Sequence, residues 1–285
     1  MTTIDVAPVA GDPTRGRRRR KEKTGQPLGL ASGLGLGTAV LWLSLIVLIP
    51  LAATVVQGFD DGWAGFWNAV TQQSALDALR LTITSSLIVT VINAVMGTLI
   101  AWVLVRDRFP GRRAIEFVID IPFALPTIVA GLVLLGVYGA DSPVGLNLLG
   151  SQKAIVLALM FVTLPFVVRS EQPVLLALDV EAELAASCLG ASPWTTFRRV
   201  VLPLLLPAIA SGAALAFARA MGEYGSVLLI SGGRSTATVS SMQIFQKLQN
   251  YDYVSAAAVA TLLLVISLFV IVLLDVLQRR AARRG

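Results

Sequence analysis

Six stretches of about twenty residues, at 34–57, 80–105, 114–138, 154–172, 203–230 and 254–277, are apolar and nearly free of charge. An α-helix needs roughly 20 such residues to cross about 30 Å of hydrocarbon. These runs are continuous, whereas strands of a membrane barrel alternate, so the chain is expected to be all-α and to cross the membrane six times. The fourth run is the weakest. Its uncharged part, 154–168, covers 15 residues and needs Arg169 to reach back to the boundary with its charged head.

Composition removes several function classes. Only 14% of the 285 residues are charged, against about a quarter in soluble domains, so an ordinary soluble enzyme is excluded. With no histidine and one cysteine, Cys188, the chain offers no His-based zinc site, no Cys-rich metal site and no internal disulfide. It has no G-x-x-x-x-G-K-[ST] phosphate loop; Gly232-Gly233-Arg234-Ser235-Thr236 lacks that spacing and reads as a turn. A G-x-S-x-G elbow is also absent, which argues against an intramembrane hydrolase.

Lys and Arg near the ends of membrane spans stay in the cytoplasm. The first 33 residues hold seven, the second-to-third connection four, the fourth-to-fifth three and the C-terminal tail four, together 18 of 23. Arg80, Lys153, Arg219, Arg234 and Lys247 remain for the alternate segments. Both termini are therefore expected in the cytoplasm. Residues 1–33 and 278–285 read as basic tails, the first of them disordered. Such tails fit orientation and contact with anionic lipid better than nucleic-acid binding. The first run is too long for a cleaved secretory signal and reads as a retained helix.

The connection from Arg169 to Leu202 carries unusually clear helix punctuation. Asp179 is a natural N-cap, with Glu181 and Glu183 in the first turn. Gly190 supplies a left-handed stop, and Ser192-Pro193 restarts a helix with Trp194, Phe197, Val200 and Val201 at helical spacing. Periodicity alone fits equally an amphipathic hairpin on the membrane surface or a docking element for another protein. The pattern Glu183-Leu-Ala185-Ala186, then Gly190, then Val200-x-Leu202-Pro203 resembles the EAA loop of ABC importer permeases, with Leu184 where that motif has its Glu.

Other segments carry chemistry at membrane depth. The second run has a stripe of Thr82, Ser86, Thr90, Asn93 and Gly97, which reads as helix packing ahead of a water-filled path. The third has Pro122 and Pro126 four residues apart, a static kink or a hinge. Asp120-Ile-Pro-Phe-Ala-Leu-Pro-Thr127 through Gly131, with Tyr138-Gly139 and Pro143-Val-Gly145, is similar to the T-type permeases of sulfate/thiosulfate importers. Arg219 and Glu223 are one helical turn apart and can neutralise each other. Gly222-Glu223-Tyr224-Gly225 resembles the Gly-Glu-Phe-Gly of sulfate and molybdate permeases.

The resemblance covers most of 34–277 and implies the type I, MetI-like permease architecture. It implies a non-catalytic subunit that binds no cofactor, with ATP and Mg held by a separate ATPase present in two copies. A second, W-type permease and an extracytoplasmic sulfate-binding protein would complete a transporter in the bacterial inner membrane. The 179–202 segment would seat in the ATPase through Glu183, Ala185, Ala186, Gly190, Phe197, Leu202 and Pro203. Pro122, Pro126, Thr127, Arg219 and Glu223 would belong to the translocation path or its gate. Molybdate or tungstate import is the neighbouring alternative, and a passive anion channel a distant one.

Overall fold

The computed structural model describes residues 30–234 and 237–282. Every regular element among them is helical. The chain divides into two compact units between Ile49 and Pro50. In the first, α1 (Leu30–Leu43) leads into a wider π turn at Ser44–Leu48. Leu34, Leu41, Trp42 and Ile46 all stay exposed there, as a helix surrounded by lipid requires. Most of the basic tail expected at 1–33 lies outside the described residues, and its last four residues are already helical.

The second unit is a helical bundle. After α2 (Ile49–Gly58) and the short α3 (Gly62–Thr71) come the long α4 (Gln73–Arg106), α5 (Arg112–Ala124) and α6 (Thr127–Tyr138). Then follow α7 (Gln152–Ala177), α8 (Val180–Cys188), α9 (Pro193–Thr196), α10 (Leu202–Met221), α11 (Gly225–Ile230), α12 (Ser240–Gln249) and α13 (Tyr253–Ala282). The centre is α4, α7 and α10, packed on one another, with α13 against α10. In lipid the hydrophobic effect gives helices no reason to associate, so close packing and polar contacts do the work.

The small-residue stripe of α4 serves that packing. A methyl group on Gly97 would lie 2.7 Å from Val167 Cγ1, so α7 is seated directly on the α4 backbone. Asn93 Nδ2 donates to Thr163 Oγ1 at 2.8 Å, and Thr82 Oγ1 accepts the Ser240 amide at 2.8 Å. Of the two readings of the stripe, helix packing is the one these contacts support.

Among the described residues, five helices are long and apolar enough to cross a membrane: Ser32–Gly58, Gln73–Arg106, Gln152–Ala177, Pro193–Met221 and Tyr253–Val276. The third expected span, 114–138, is not one helix. α5 and α6 meet at 117°. Their 13 and 12 residues reach only about 20 Å each at 1.5 Å per residue, short of the hydrocarbon thickness. Pro126 holds Leu125 in extended backbone (φ −86°, ψ 136°), and its own carbonyl accepts the Val129 and Ala130 amides to start α6. Pro122, by contrast, is carried inside α5. The count is five spans, or six if the bent pair is one.

Four further boundaries differ from the sequence reading. α7 continues through Glu171 and Gln172 to Ala177, so the connection expected from Arg169 is much shorter. The fifth span, expected as 203–230, ends at Met221; residues 225–230 form the separate α11. No break separates the Ser192-Pro193 helix from that span, because α9 and α10 are joined through the π turn Phe197–Val201. The final helix runs to Ala282, through most of the expected tail; residues 283–285 and 235–236 lie outside the described residues.

Candidate functional site

Two groups of residues are brought together, one in the segment between α7 and α10, the other where α6 meets α11. In the first, Asp179 caps α8 by accepting the Glu181 amide at 2.9 Å. Gly190 has φ +81°, the left-handed stop its sequence position required. Behind it, the Ala191 amide reaches back to the Ala186 carbonyl. Ser192 then caps α9, accepting the Thr195 amide at 3.3 Å.

This bent segment presents apolar side chains outward. Leu184 is 60% exposed, Leu189 89% and Trp194 67%. Ala185, Gly190 and Pro203 are also exposed, while Ala186, Phe197 and Leu202 are half-buried. On its inner side Glu183 forms an ion pair with Arg106, the last residue of α4. The Arg106 guanidinium lies 5.6 Å from the centre of the Trp102 ring, within cation–π range. Trp102 meets Phe197 edge-on at 5.2 Å, and Phe197 stacks on Trp194 at 5.8 Å. Both arms of the bent segment are thereby tied to the end of α4. Sequence reading missed Arg106: its partner is 77 positions away, and no local pattern links them.

The second group centres on α6 and α11. A methyl group on Gly131 would lie 2.7 Å from the Ser226 carbonyl oxygen, and one on Gly225 would lie 2.3 Å from Thr127 Oγ1. Only glycines permit this approach of the two backbones. Glu223, buried just before α11, accepts both the amide and the hydroxyl of Ser226 on Oε1, at 2.9 and 3.0 Å. Its other oxygen is ion-paired with Arg219, and its carbonyl accepts the Ser241 hydroxyl at 2.6 Å. Glu223 therefore ties together the end of α10, the start of α11 and the start of α12. Thr127, Arg219 and Glu223 belong to this junction, and Pro126 starts the helix that enters it. Pro122 stands apart, one turn back in α5.

An ion pair and a buried carboxylate elsewhere in the bundle were also missed. Arg169 pairs with Asp120 of α5 and donates to Gln172 Oε1 at 2.7 Å. Glu171 is buried, with Thr98 Oγ1 3.0 Å from its Oε1. Opposite charges in neighbouring apolar runs were the available signal for the first pair. The second was hidden by assigning Glu171 to a connection. No group of three or more acidic, His or Cys side chains able to hold a metal occurs among the described residues.

The model of the binding-protein-dependent transport system inner membrane component family matches residues 93–283. The sulfate transport system permease protein CysT of Escherichia coli K12 is 41% identical over 259 residues, covering 88% of this chain and 94% of that protein. CysT of Synechocystis is 40% identical over 252 residues, covering 86% and 88%. Among solved structures, a bacterial ABC transporter involved in the import of the acidic polysaccharide alginate has a chain with a TM-score of 0.74 at 17% identity, covering 87% of this chain and 94% of that one. A chain of the MetNI methionine ABC transporter in an inward-facing conformation gives 0.54 at 20%, covering 73% and 94%. The structural likenesses establish the fold; with the family match and the sequence relatives, they show that this chain belongs to the binding-protein-dependent transport system inner membrane components, the permease subunits of ABC importers.

Proposed function

We propose that this chain is the permease subunit of an ATP-driven sulfate importer, with thiosulfate as a second cargo. The observation that carries the substrate is identity of about two residues in five with sulfate permeases over nearly the whole length of both chains. Those names favour sulfate over molybdate or tungstate.

A permease of this kind needs a separate source of energy. The bent segment 179–202 is suited to receive it: an apolar outer face seats against an ATPase, while Glu183 and Phe197 pass displacement to α4. The ATPase, in two copies, binds ATP and Mg. A W-type permease forms the other half of the membrane pathway, and a sulfate-binding protein delivers the anion. The asymmetry of Lys and Arg puts both termini and the 179–202 segment on the cytoplasmic side of the inner membrane.

The test is uptake of labelled sulfate by a deletion strain carrying this gene with its partner genes. ATP-dependent uptake, competed by thiosulfate and not by molybdate, is expected. Uptake that molybdate suppresses at lower concentration than sulfate overturns the substrate, and uptake without an ATPase overturns the mechanism.

A further inference from the structure

A cavity of about 930 Å³ opens between the first turns of α4, the start of α7 and α12. At roughly 30 Å³ per water, it holds an oxyanion together with much of its hydration shell. Ten of its twelve lining residues carry polar side chains, and three of these are charged. Arg80 is exposed, lines it, and has no carboxylate within ion-pair distance among the described residues. Lys247 also lines it but is already engaged, 3.3 Å from Asp252 Oδ2 and 3.1 Å from Gln72 Oε1. Asp77, one turn before Arg80, is the acidic residue of the lining, and Gln73 Nε2 donates to it at 2.9 Å.

Neutral polar side chains line the same cavity as Arg80. Gln152 Nε2 is 3.4 Å from Thr84 Oγ1, leaving its second N–H for the cavity. Gln243 is buried in the wall; its amide contacts Ser74 Oγ at 3.0 Å, and its carbonyl oxygen has no partner.

We infer that this cavity is a transit subsite for a tetrahedral oxyanion dianion, in which Arg80 supplies the charge and the neutral amides and hydroxyls supply the hydrogen bonds. The inference deepens the sulfate reading, on which it rests for its ligand. A transport path must attract an ion without trapping it. One unpaired guanidinium, with Asp77 nearby, meets that requirement better than a cluster of cations. The same charge asymmetry that puts the termini inside puts this cavity on the outer side, where a binding protein delivers.

The test uses the whole transporter in cells. In a Cys188→Ser background, Gln246→Cys and, separately, Asn250→Cys place a single thiol of this chain on the exposed rim of the cavity. Alkylation by a membrane-impermeant reagent is timed with sodium sulfate or with sodium chloride of equal ionic strength. Sulfate is expected to slow labelling at least threefold relative to chloride, and adding Arg80→Gln is expected to remove that protection. Equal rates in the two salts, protection that persists without Arg80, or thiols unreachable from outside overturns the subsite. Protection that depends on Arg80 in a transporter that imports no sulfate keeps the subsite and overturns the substrate reading instead.

Discussion

Glu183 of α8 is ion-paired with Arg106, the last residue of α4, and both side chains are more than four-fifths buried. Glu183 thus faces its own bundle, while Leu184 beside it faces outward. A largely buried pair whose arginine also lies over Trp102 binds the segment to α4 more firmly than an exposed surface pair does. Arg106→Glu should therefore lower ATP-driven uptake by more than half, with the chain still in the membrane. Exchanging the two charges, Arg106→Glu with Glu183→Arg, should recover a substantial part of it. Uptake per assembled complex checks both, and single variants that match the original chain would refute the link.

Gly190 is a second mechanical point. Its backbone is left-handed and nothing lies within 4 Å of where a side chain would begin. The cost of a substitution is therefore in the backbone, about 1–2 kcal/mol for most residues and least for Asn. Gly190→Asn should keep near-normal uptake and Gly190→Val should reduce it. Gly190→Trp should abolish it through bulk on the docking face, while membrane level stays unchanged. Immunoblots of membranes beside uptake assays separate the two effects.

The spans were legible because lipid demands long uninterrupted apolar runs, and 34–57 and 254–277 fall inside the helices Ser32–Gly58 and Tyr253–Ala282. Their ends were less legible. Hydropathy marks where apolar residues stop, but a backbone stays helical wherever neighbours satisfy its polar side chains. α7 runs on past Arg169, where Asp120 and Gln172 accept hydrogen bonds from the Arg169 guanidinium and Thr98 donates one to Glu171. Proline was equally ambiguous: Pro122, Pro165, Pro173 and Pro207 are carried within helices, whereas Pro126 ends one. What differs at Pro126 is the docking of Thr127 and Gly131 against α11, a contact nearly a hundred positions distant. The bent segment 179–202 was legible residue by residue, since Asp179, Gly190 and Ser192 act locally. Its anchorage to Arg106 was not, for the same reason of distance.

That docking gives a stability prediction. Gly131→Ala places a methyl carbon 2.7 Å from a backbone oxygen of α11, and Gly225→Ala places one 2.8 Å from the Ile128 amide nitrogen. Backbone cannot step aside as a flexible side chain can, so each change should cost about 1–3 kcal/mol, the usual range for overpacking. Both should lower the detergent-solubilised melting temperature by several degrees. Gly136→Ala, on the same helix with open space around it, should leave it within about a degree.

Glu223 separates a charge requirement from a shape requirement. Its Oε1 accepts two hydrogen bonds from Ser226, and its Oε2 faces the Arg219 guanidinium. Glu223→Gln keeps the volume and lets a carbonyl oxygen serve Ser226, but it turns an amide N–H₂ toward a guanidinium that can only donate. Arg219 would then be left unpaired at membrane depth, a cost of at least a few kcal/mol unless it swings out. Sulfate uptake should accordingly fall at least tenfold in Glu223→Gln, whereas Glu223→Gln with Arg219→Gln, which removes the uncompensated charge, should regain part of it. If Glu223→Gln imports sulfate normally with unchanged ATP consumed per ion, the junction of α10, α11 and α12 is a packing element, and any gate must be sought elsewhere.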